Sequence, residues 1–241
     1  MHFEEFGQEN EKTIVMLHGA NFVHTFGSQY CLADRYHLLI PHIPGYGNET
    51  DQVFLTESAI EQLYEFIVKL GKKVTLVGFS LGAQLAVKLI AEHGELFSGA
   101  IIVSPWLIKP EELLAEVGKQ NEKQFKMFKN KFMCNLVGLM NGLPKPQRKE
   151  FVEQMQRVKY ETAQNILNNG ITIDTIQGFE NADFPIVAIA GAKEQKEVHD
   201  SLTALAELNS NCKTEIWEKA AHNIPPLFAK RFNELICEIA K

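Results

Sequence analysis

Six short apolar runs, each bounded by turn-forming residues, divide the chain at intervals. They are rich in Val and Ile and show no regular polar alternation, which is typical of strands buried on both faces of a parallel sheet. We therefore predict six strands, and an additional edge hairpin within residues 1–12. The runs span residues 13–17, 37–43, 74–77, 100–103, 185–190 and 214–217.

Amphipathic stretches lie between most of these runs. Their apolar positions recur with helical spacing over residues 57–70, 81–93, 198–208 and 227–240. Alternating strands and helices predict an α/β fold with a doubly wound, mostly parallel sheet.

A long interval without a strand interrupts this alternation between residues 103 and 185. Two prolines, Pro144 and Pro146, divide it, and further helical segments follow at 147–159 and 161–168. We predict that residues 109–179 form a helical cap inserted over one end of the sheet, with residues 1–108 and 180–241 forming the core. The apolar residues that carry helical spacing in the first half of the interval are Phe125, Phe128, Phe132, Leu136 and Leu139.

Composition narrows the classes of protein that the chain resembles. Its 241 residues are 45% hydrophobic and 22% charged, which is ordinary globular usage. The net charge of −6, without a basic stripe, argues against a nucleic-acid partner. The scattered cysteines Cys31, Cys134, Cys212 and Cys237 show no metal-ligand or disulfide spacing, so we predict reduced thiols and no zinc site.

The sequence also shows neither a secretory signal nor a membrane-spanning segment. The first residues show no basic region followed by an apolar stretch, and no apolar run approaches the roughly 20 residues of a membrane span. We expect a cytoplasmic protein without a membrane span.

The clearest chemical signal is the pentapeptide Gly78-Phe79-Ser80-Leu81-Gly82, which lies between a predicted strand and a predicted helix. This G-x-S-x-G context is typical of a sharp turn that exposes a serine hydroxyl beside a helix N-terminus. The two glycines remove side chains that would collide with the strained turn. Ser80 is therefore the candidate nucleophile.

A second loop follows the first predicted strand as His18-Gly19-Ala20-Asn21. Its position suits an oxyanion hole built from two backbone amides, those of Ala20 and of Leu81. We expect His18 to have a structural role, and Asn21 either to bind substrate or to form an Asx turn.

His222 is the candidate base because it follows the last predicted strand and completes the chain order serine, acid, histidine. The other histidines suit this role less well. His93 should end the helix that begins at the elbow, His199 should lie within a helix, and His37 and His42 adjoin a strand.

The candidate acid is Glu194, in the loop after the predicted strand 185–190. A carboxylate there could fix the imidazole tautomer and stabilise the imidazolium. Glu197 and Asp200 are alternatives near the start of the next helix, whereas Asp183 precedes the strand and should lie at the wrong end of the sheet.

These motifs, with the turn Pro44-Gly45-Tyr46-Gly47, resemble the α/β-hydrolase superfamily over nearly the whole chain. The resemblance implies Ser80 as nucleophile, His222 as base, Glu194 as acid, and Ala20 and Leu81 as oxyanion donors. Serine at the elbow argues against the haloalkane-dehalogenase and epoxide-hydrolase branches, which use aspartate there. Two positions depart from the common pattern, because members usually have aspartate at Glu194 and many have aspartate at His42.

The resemblance implies a serine hydrolase that cleaves a small, apolar carboxylic ester or thioester through an acyl-enzyme, with no metal and no organic cofactor. Two alternatives stay open at this point. The same triad could serve a C–C bond hydrolase or an acyltransferase, and a hydrolase-like receptor could bind a small molecule with little turnover.

Overall fold

The computed structural model describes all residues 1–241 and contains one seven-stranded sheet. Its strand order is β1-β3-β2-β4-β5-β6-β7, and only the β1–β3 pair is antiparallel. The predicted fold class is confirmed. The strands are β1 Phe3–Phe6, β2 Thr13–Leu17, β3 His37–Pro41, β4 Val74–Phe79, β5 Phe97–Val103, β6 Ile186–Gly191 and β7 Cys212–Trp217.

Nine α-helices accompany the sheet, and short 3₁₀ segments connect several of the elements. One longer 3₁₀ segment, Val23–Asp34, leads from β2 towards β3. The helices are α1 Thr56–Val68, α2 Leu81–His93, α3 Glu111–Lys129, α4 Lys131–Met140, α5 Lys145–Arg157, α6 Tyr160–Leu167, α7 Lys196–Leu208, α8 Ile224–Leu227 and α9 Ala229–Ile239.

The central strands are buried on both faces, as their unbroken apolar sequences predict. In β2, Val15 and Leu17 pack into a core cluster on one face, and Ile14 and Met16 pack into a second cluster on the other. Successive side chains of a strand point to opposite faces, so an all-apolar strand supplies both cores. This packing fixes β4 and the turn that follows it in the middle of the molecule.

Both edges of the sheet differ from the prediction. β1 pairs with β3 and not with β2, so residues 1–12 form an edge strand without the predicted hairpin. At the opposite edge, β7 exposes Lys213, Thr214 and Ile216, because no further strand or helix covers all of it. The predicted terminal helix 227–240 corresponds to α9, and the short helix α8 precedes it, separated by Phe228, where the backbone leaves the helical conformation.

Four helices, α3 to α6, occupy the interval between β5 and β6. The predicted apolar row does not form one helix face, because the chain breaks at Asn130 between α3 and α4. The Asn130 side chain accepts hydrogen bonds from the amides of Phe132 and Met133 and so caps α4. Consequently Phe128 is buried, whereas Phe132 is 73% exposed.

None of the helices is long and apolar enough to cross a membrane.

Candidate active site

Ser80 lies between the end of β4 and the start of α2, with a backbone φ of 55° that residues other than glycine rarely adopt. Its amide donates to the carbonyl of Val103 at 2.9 Å, which ties the turn to the neighbouring β5. The glycines on either side are needed for space. A Cβ at Gly78 would overlap the carbonyl of Gly82, and one at Gly82 would overlap the carbonyls of Leu17 and His18.

We expect the Gly82→Ala substitution to lower the free energy of unfolding by about 1–3 kcal/mol, because the added methyl group meets backbone that cannot move aside. Urea denaturation, monitored by circular dichroism, measures this change in the free energy of unfolding. Gly94→Ala is the matched control, since a Cβ at Gly94 meets nothing within 4 Å and its backbone is right-handed helical. Equal stability of the two variants would contradict the prediction.

His222 comes from the loop between β7 and α8 and faces Ser80 across 142 positions of sequence. Its Nε2 lies 3.0 Å from Ser80 Oγ, which is hydrogen-bonding distance. The ring of Phe79 lies against the imidazole with a centroid separation of 4.9 Å. The imidazole is therefore supported on one side, while about half of its side chain remains accessible.

Glu194 lies in the turn between β6 and α7, and its Oε2 is 2.7 Å from His222 Nδ1. Its other oxygen accepts from the Ser104 hydroxyl at 2.6 Å and from the Gly191 amide at 2.9 Å. Burial favours the protonated acid, but the hydrogen bonds from His222, Ser104 and Gly191 and the charge of His222 outweigh it, so the pKa of Glu194 lies below its ordinary value. The carboxylate is ionised at neutral pH.

The alternative acids do not reach His222. Asp200 pairs with Lys196 on α7, Glu197 lies in the first turn of the same helix, and Asp183 precedes β6. The hydrogen-bonded chain of side chains is therefore Ser80–His222–Glu194, the arrangement in which a base is oriented by a carboxylate and contacts a hydroxyl.

The other histidines considered from the sequence lie in separate elements of the fold. His93 ends α2, His37 lies in β3, and His199 in α7 bonds the carbonyl of Gly191. His18 is fully buried between the Gly19 carbonyl at Nδ1 and the Ile43 amide at Nε2. Burial lowers its pKa to about 3, so His18 stays neutral and holds the loop after β2 in shape.

That loop lies directly against Ser80. A Cβ at Gly19 would be 3.4 Å from the Cβ of Ser80 and 2.9 Å from the ring of Phe79, so only glycine lets the loop approach so closely. The next residue, Ala20, makes no backbone hydrogen bond through its amide, and Leu81 is the first residue of α2, where an amide has no intrahelical acceptor. Asn21 has a positive φ of 74°, which agrees with a turn role.

Sequence reasoning missed Ser104, the hydroxyl that donates to Glu194. Ser104 directly follows β5 and has a positive φ of 54°. A polar residue at the carboxyl end of a central strand was the available signal, since neighbouring parallel strands end at the same edge of the sheet. Its partner Glu194 follows the adjacent strand β6.

His42, the second position that departs from the pattern of the resemblance, is buried beneath the turn at Gly45–Gly47. Its Nδ1 accepts the Asn48 amide at 3.0 Å, so the neutral ring carries its proton on Nε2. At this position the chain therefore has an imidazole whose Nε2 points towards β1.

Comparison with known families decides which family the chain belongs to. A family model described as the alpha/beta hydrolase fold matches residues 12–227. The chain belongs to the α/β-hydrolase family.

Solved structures of other family members resemble this α/β hydrolase along its whole length. An esterase from Exiguobacterium antarcticum (EaEST) is 20% identical, with a TM-score of 0.79 and coverage of 99% of this chain and 94% of that one. MenH from S. aureus is also 20% identical, with a TM-score of 0.72 and coverage of 99% and 96%. The epoxide hydrolase CorEH is 14% identical, with a TM-score of 0.73 and coverage of 99% and 93%. At these identities the likeness concerns the fold, and the family match supports a hydrolase.

Proposed function

We propose that this α/β hydrolase cleaves a small carboxylic ester or thioester through an acyl-enzyme on Ser80. The observation that carries the proposal is the chain of hydrogen bonds from Ser80 Oγ through both ring nitrogens of His222 to Glu194. An ionised, buried carboxylate on Nδ1 keeps the proton on that nitrogen, so Nε2 has a free lone pair facing the hydroxyl.

In the first half of the reaction, His222 Nε2 takes the Ser80 proton while Oγ forms a bond to the carbonyl carbon of the substrate. The amides of Ala20 and Leu81 stabilise the oxygen that becomes negative, because they are fixed in place and need no reorganisation. The leaving alcohol or thiol departs with the proton from His222, and the acyl group stays on Oγ.

In the second half, a water molecule loses a proton to His222 and attacks the acyl carbon. The bond to Ser80 Oγ breaks, the proton returns from His222 to Oγ, and the carboxylic acid leaves. Glu194 stays ionised throughout and stabilises the imidazolium in both halves.

An acyl or alcohol group of modest size and apolar character suits the surroundings of the site. Phe22, two residues after Ala20, stacks on Phe151 of α5 with ring centroids 4.6 Å apart. Asn141, which follows α4, bonds Asn223 beside His222 at 2.9 Å. Both contacts support residues 109–179 acting as a cap that limits the room above Ser80 and excludes water.

A fluorophosphonate probe tests the proposed nucleophile. We expect one covalent label per chain, located on Ser80 by peptide mass spectrometry, because an activated hydroxyl displaces fluoride from the probe and becomes phosphonylated. The Ser98→Ala variant, which changes an exposed serine of β5, should label like the wild type. A folded wild-type protein that stays unlabelled, or a label on another residue, would contradict the assignment.

A further inference from the structure

A second cluster of chemically active side chains lies apart from the Ser80–His222–Glu194 chain. It consists of Glu4 on β1, His24 in the 3₁₀ segment Val23–Asp34, and Glu150 on α5. One ligand atom from each of the three lies within 4.8 Å of the other two. We propose that Glu4, His24 and Glu150 bind a divalent transition-metal ion such as Zn²⁺ or Mn²⁺.

The distances and donor set suit such an ion. His24 Nε2 and Glu150 Oε2 are 3.1 Å apart. Ligands about 2.0–2.2 Å from one metal ion lie about 2.8–3.1 Å from each other in octahedral geometry and about 3.3–3.6 Å in tetrahedral geometry. One imidazole and two carboxylates match the preferences of borderline metals and leave positions for water.

The charge of the cluster also favours a cation. Glu4 and Glu150 place two carboxylates around His24, whose side chain is only 10% exposed. The only ion-pair partners of these carboxylates are histidines, because no lysine or arginine lies within 4.0 Å of either. The two carboxylates thus converge on one imidazole in a half-buried place, and a divalent ion would compensate their charge.

Each of the three ligands is held from behind by another polar group, as in metal sites generally. The Tyr30 hydroxyl lies 3.1 Å from His24 Nδ1 and can accept its proton, which frees Nε2 for a metal. Gln154 donates to Glu150 Oε1 at 2.6 Å and leaves Oε2 facing His24.

The third ligand is backed by a buried imidazole that lacks a completed hydrogen bond. His42 Nε2 is inaccessible, carries the proton because Nδ1 accepts from Asn48, and lies 3.3 Å from Glu4 Oε1. The His42 Nε2–Glu4 Oε1 contact does not meet the geometry of a hydrogen bond, although the N–H group points towards the Glu4 carboxylate. This orphaned donor is an independent sign that Glu4 is arranged for a partner.

An ion at this site would join the core to the proposed cap. Glu4 and His24 belong to the core, whereas Glu150 lies on α5, beside the Phe151 ring that stacks on Phe22. His24 and Glu150 are 126 positions apart, so their connection restrains a large loop of chain. The ion takes no part in the proposed ester cleavage, and the site stands or fails independently of it.

Metal titration of the chelator-treated protein tests the site. Isothermal titration calorimetry with Zn²⁺ should show one ion per chain, and saturating Zn²⁺ should raise Tm because the ion binds only the folded protein. His24→Gln and Glu150→Gln should each weaken binding by more than about tenfold and abolish the rise in Tm. Glu153→Gln, an exposed change one helical turn further along α5, is the matched control and should bind like the wild type.

Cobalt spectroscopy separates this site from the exposed thiol of Cys31. Co²⁺ bound to one imidazole and two carboxylates shows ligand-field bands without a thiolate charge-transfer band. Absence of stoichiometric binding, a thiolate band, or unchanged affinity in folded His24→Gln and Glu150→Gln proteins would each overturn the proposal.

Discussion

Replacing Ser80 with alanine is expected to lower kcat for a small ester by at least about 10⁴-fold. The methyl group cannot form the acyl-enzyme, and the residual rate would come from the oxyanion donors and substrate binding alone. Steady-state assays with short p-nitrophenyl esters measure the loss. Because Ala replaces Ser on an unchanged backbone, substrate binding and stability should change little.

Two comparisons make this prediction specific. The double variant Ser80→Ala/His222→Gln should be no slower than Ser80→Ala alone, because a base without its nucleophile has no further part in the step. Ser98→Ala should keep the wild-type rate. If Ser80→Ala keeps ligand binding while the wild type itself turns over no ester, the protein is a receptor with a hydrolase fold and the proposed reaction is wrong.

The sequence predicted best those elements whose signals are local. Helix α2 has the predicted bounds 81–93 and β2 has the predicted bounds 13–17, because an apolar strand, a glycine-flanked turn and an amphipathic helix each act through near neighbours. The positions of Ser80 and His222 at one edge of the sheet followed from parallel strands that end together.

Features that depend on distant contacts were missed. β1 pairs with β3 because that edge was free, and nothing within residues 1–12 distinguishes this pairing from a hairpin. Asn130 divides the apolar row because its side chain accepts hydrogen bonds from the first amides of α4, so a new helix begins there. The spacing of apolar residues does not reveal such a break.

Two groups of interacting side chains show the same limit of sequence reasoning. Ser104 and Glu194 are in contact although 90 positions of sequence separate them, and His24 and Glu150 are in contact across 126 positions. Cysteine and histidine spacing in the sequence predicted no zinc site, and it could not have indicated the proposed Glu4–His24–Glu150 site, because spacing rules detect ligands that share a loop or helix. Ligands from three separate elements become neighbours only when the sheet and helices are packed.

Replacing Glu194 with glutamine is expected to lower kcat by about 10³–10⁴-fold while leaving KM within a fewfold of the wild type. The glutamine amide fits the same space, but its NH₂ group can face His222 Nδ1, which then accepts and places the ring proton on Nε2. An Nε2–H cannot remove the Ser80 proton. The neutral amide also fails to stabilise the imidazolium, so both halves of the reaction are slowed.

The pKa of Glu194 gives this prediction a second readout. Because folding lowers that pKa, the carboxylate stabilises the wild type above its unfolded pKa, and this contribution is lost as pH falls through the folded pKa. Glu194→Gln should therefore destabilise the protein at neutral pH, and the difference from the wild type should shrink towards acid pH. Urea denaturation at several pH values measures it.

Glu197→Gln is the matched control, because it changes the neighbouring carboxylate that sequence reasoning left open as the acid. It should keep both the rate and the pH dependence of the wild type. A Glu194→Gln enzyme within about tenfold of the wild-type rate would mean that the carboxylate only anchors the turn at Gly191, and that His222 is oriented without it. A slow Glu197→Gln enzyme would instead transfer the role of the acid to α7.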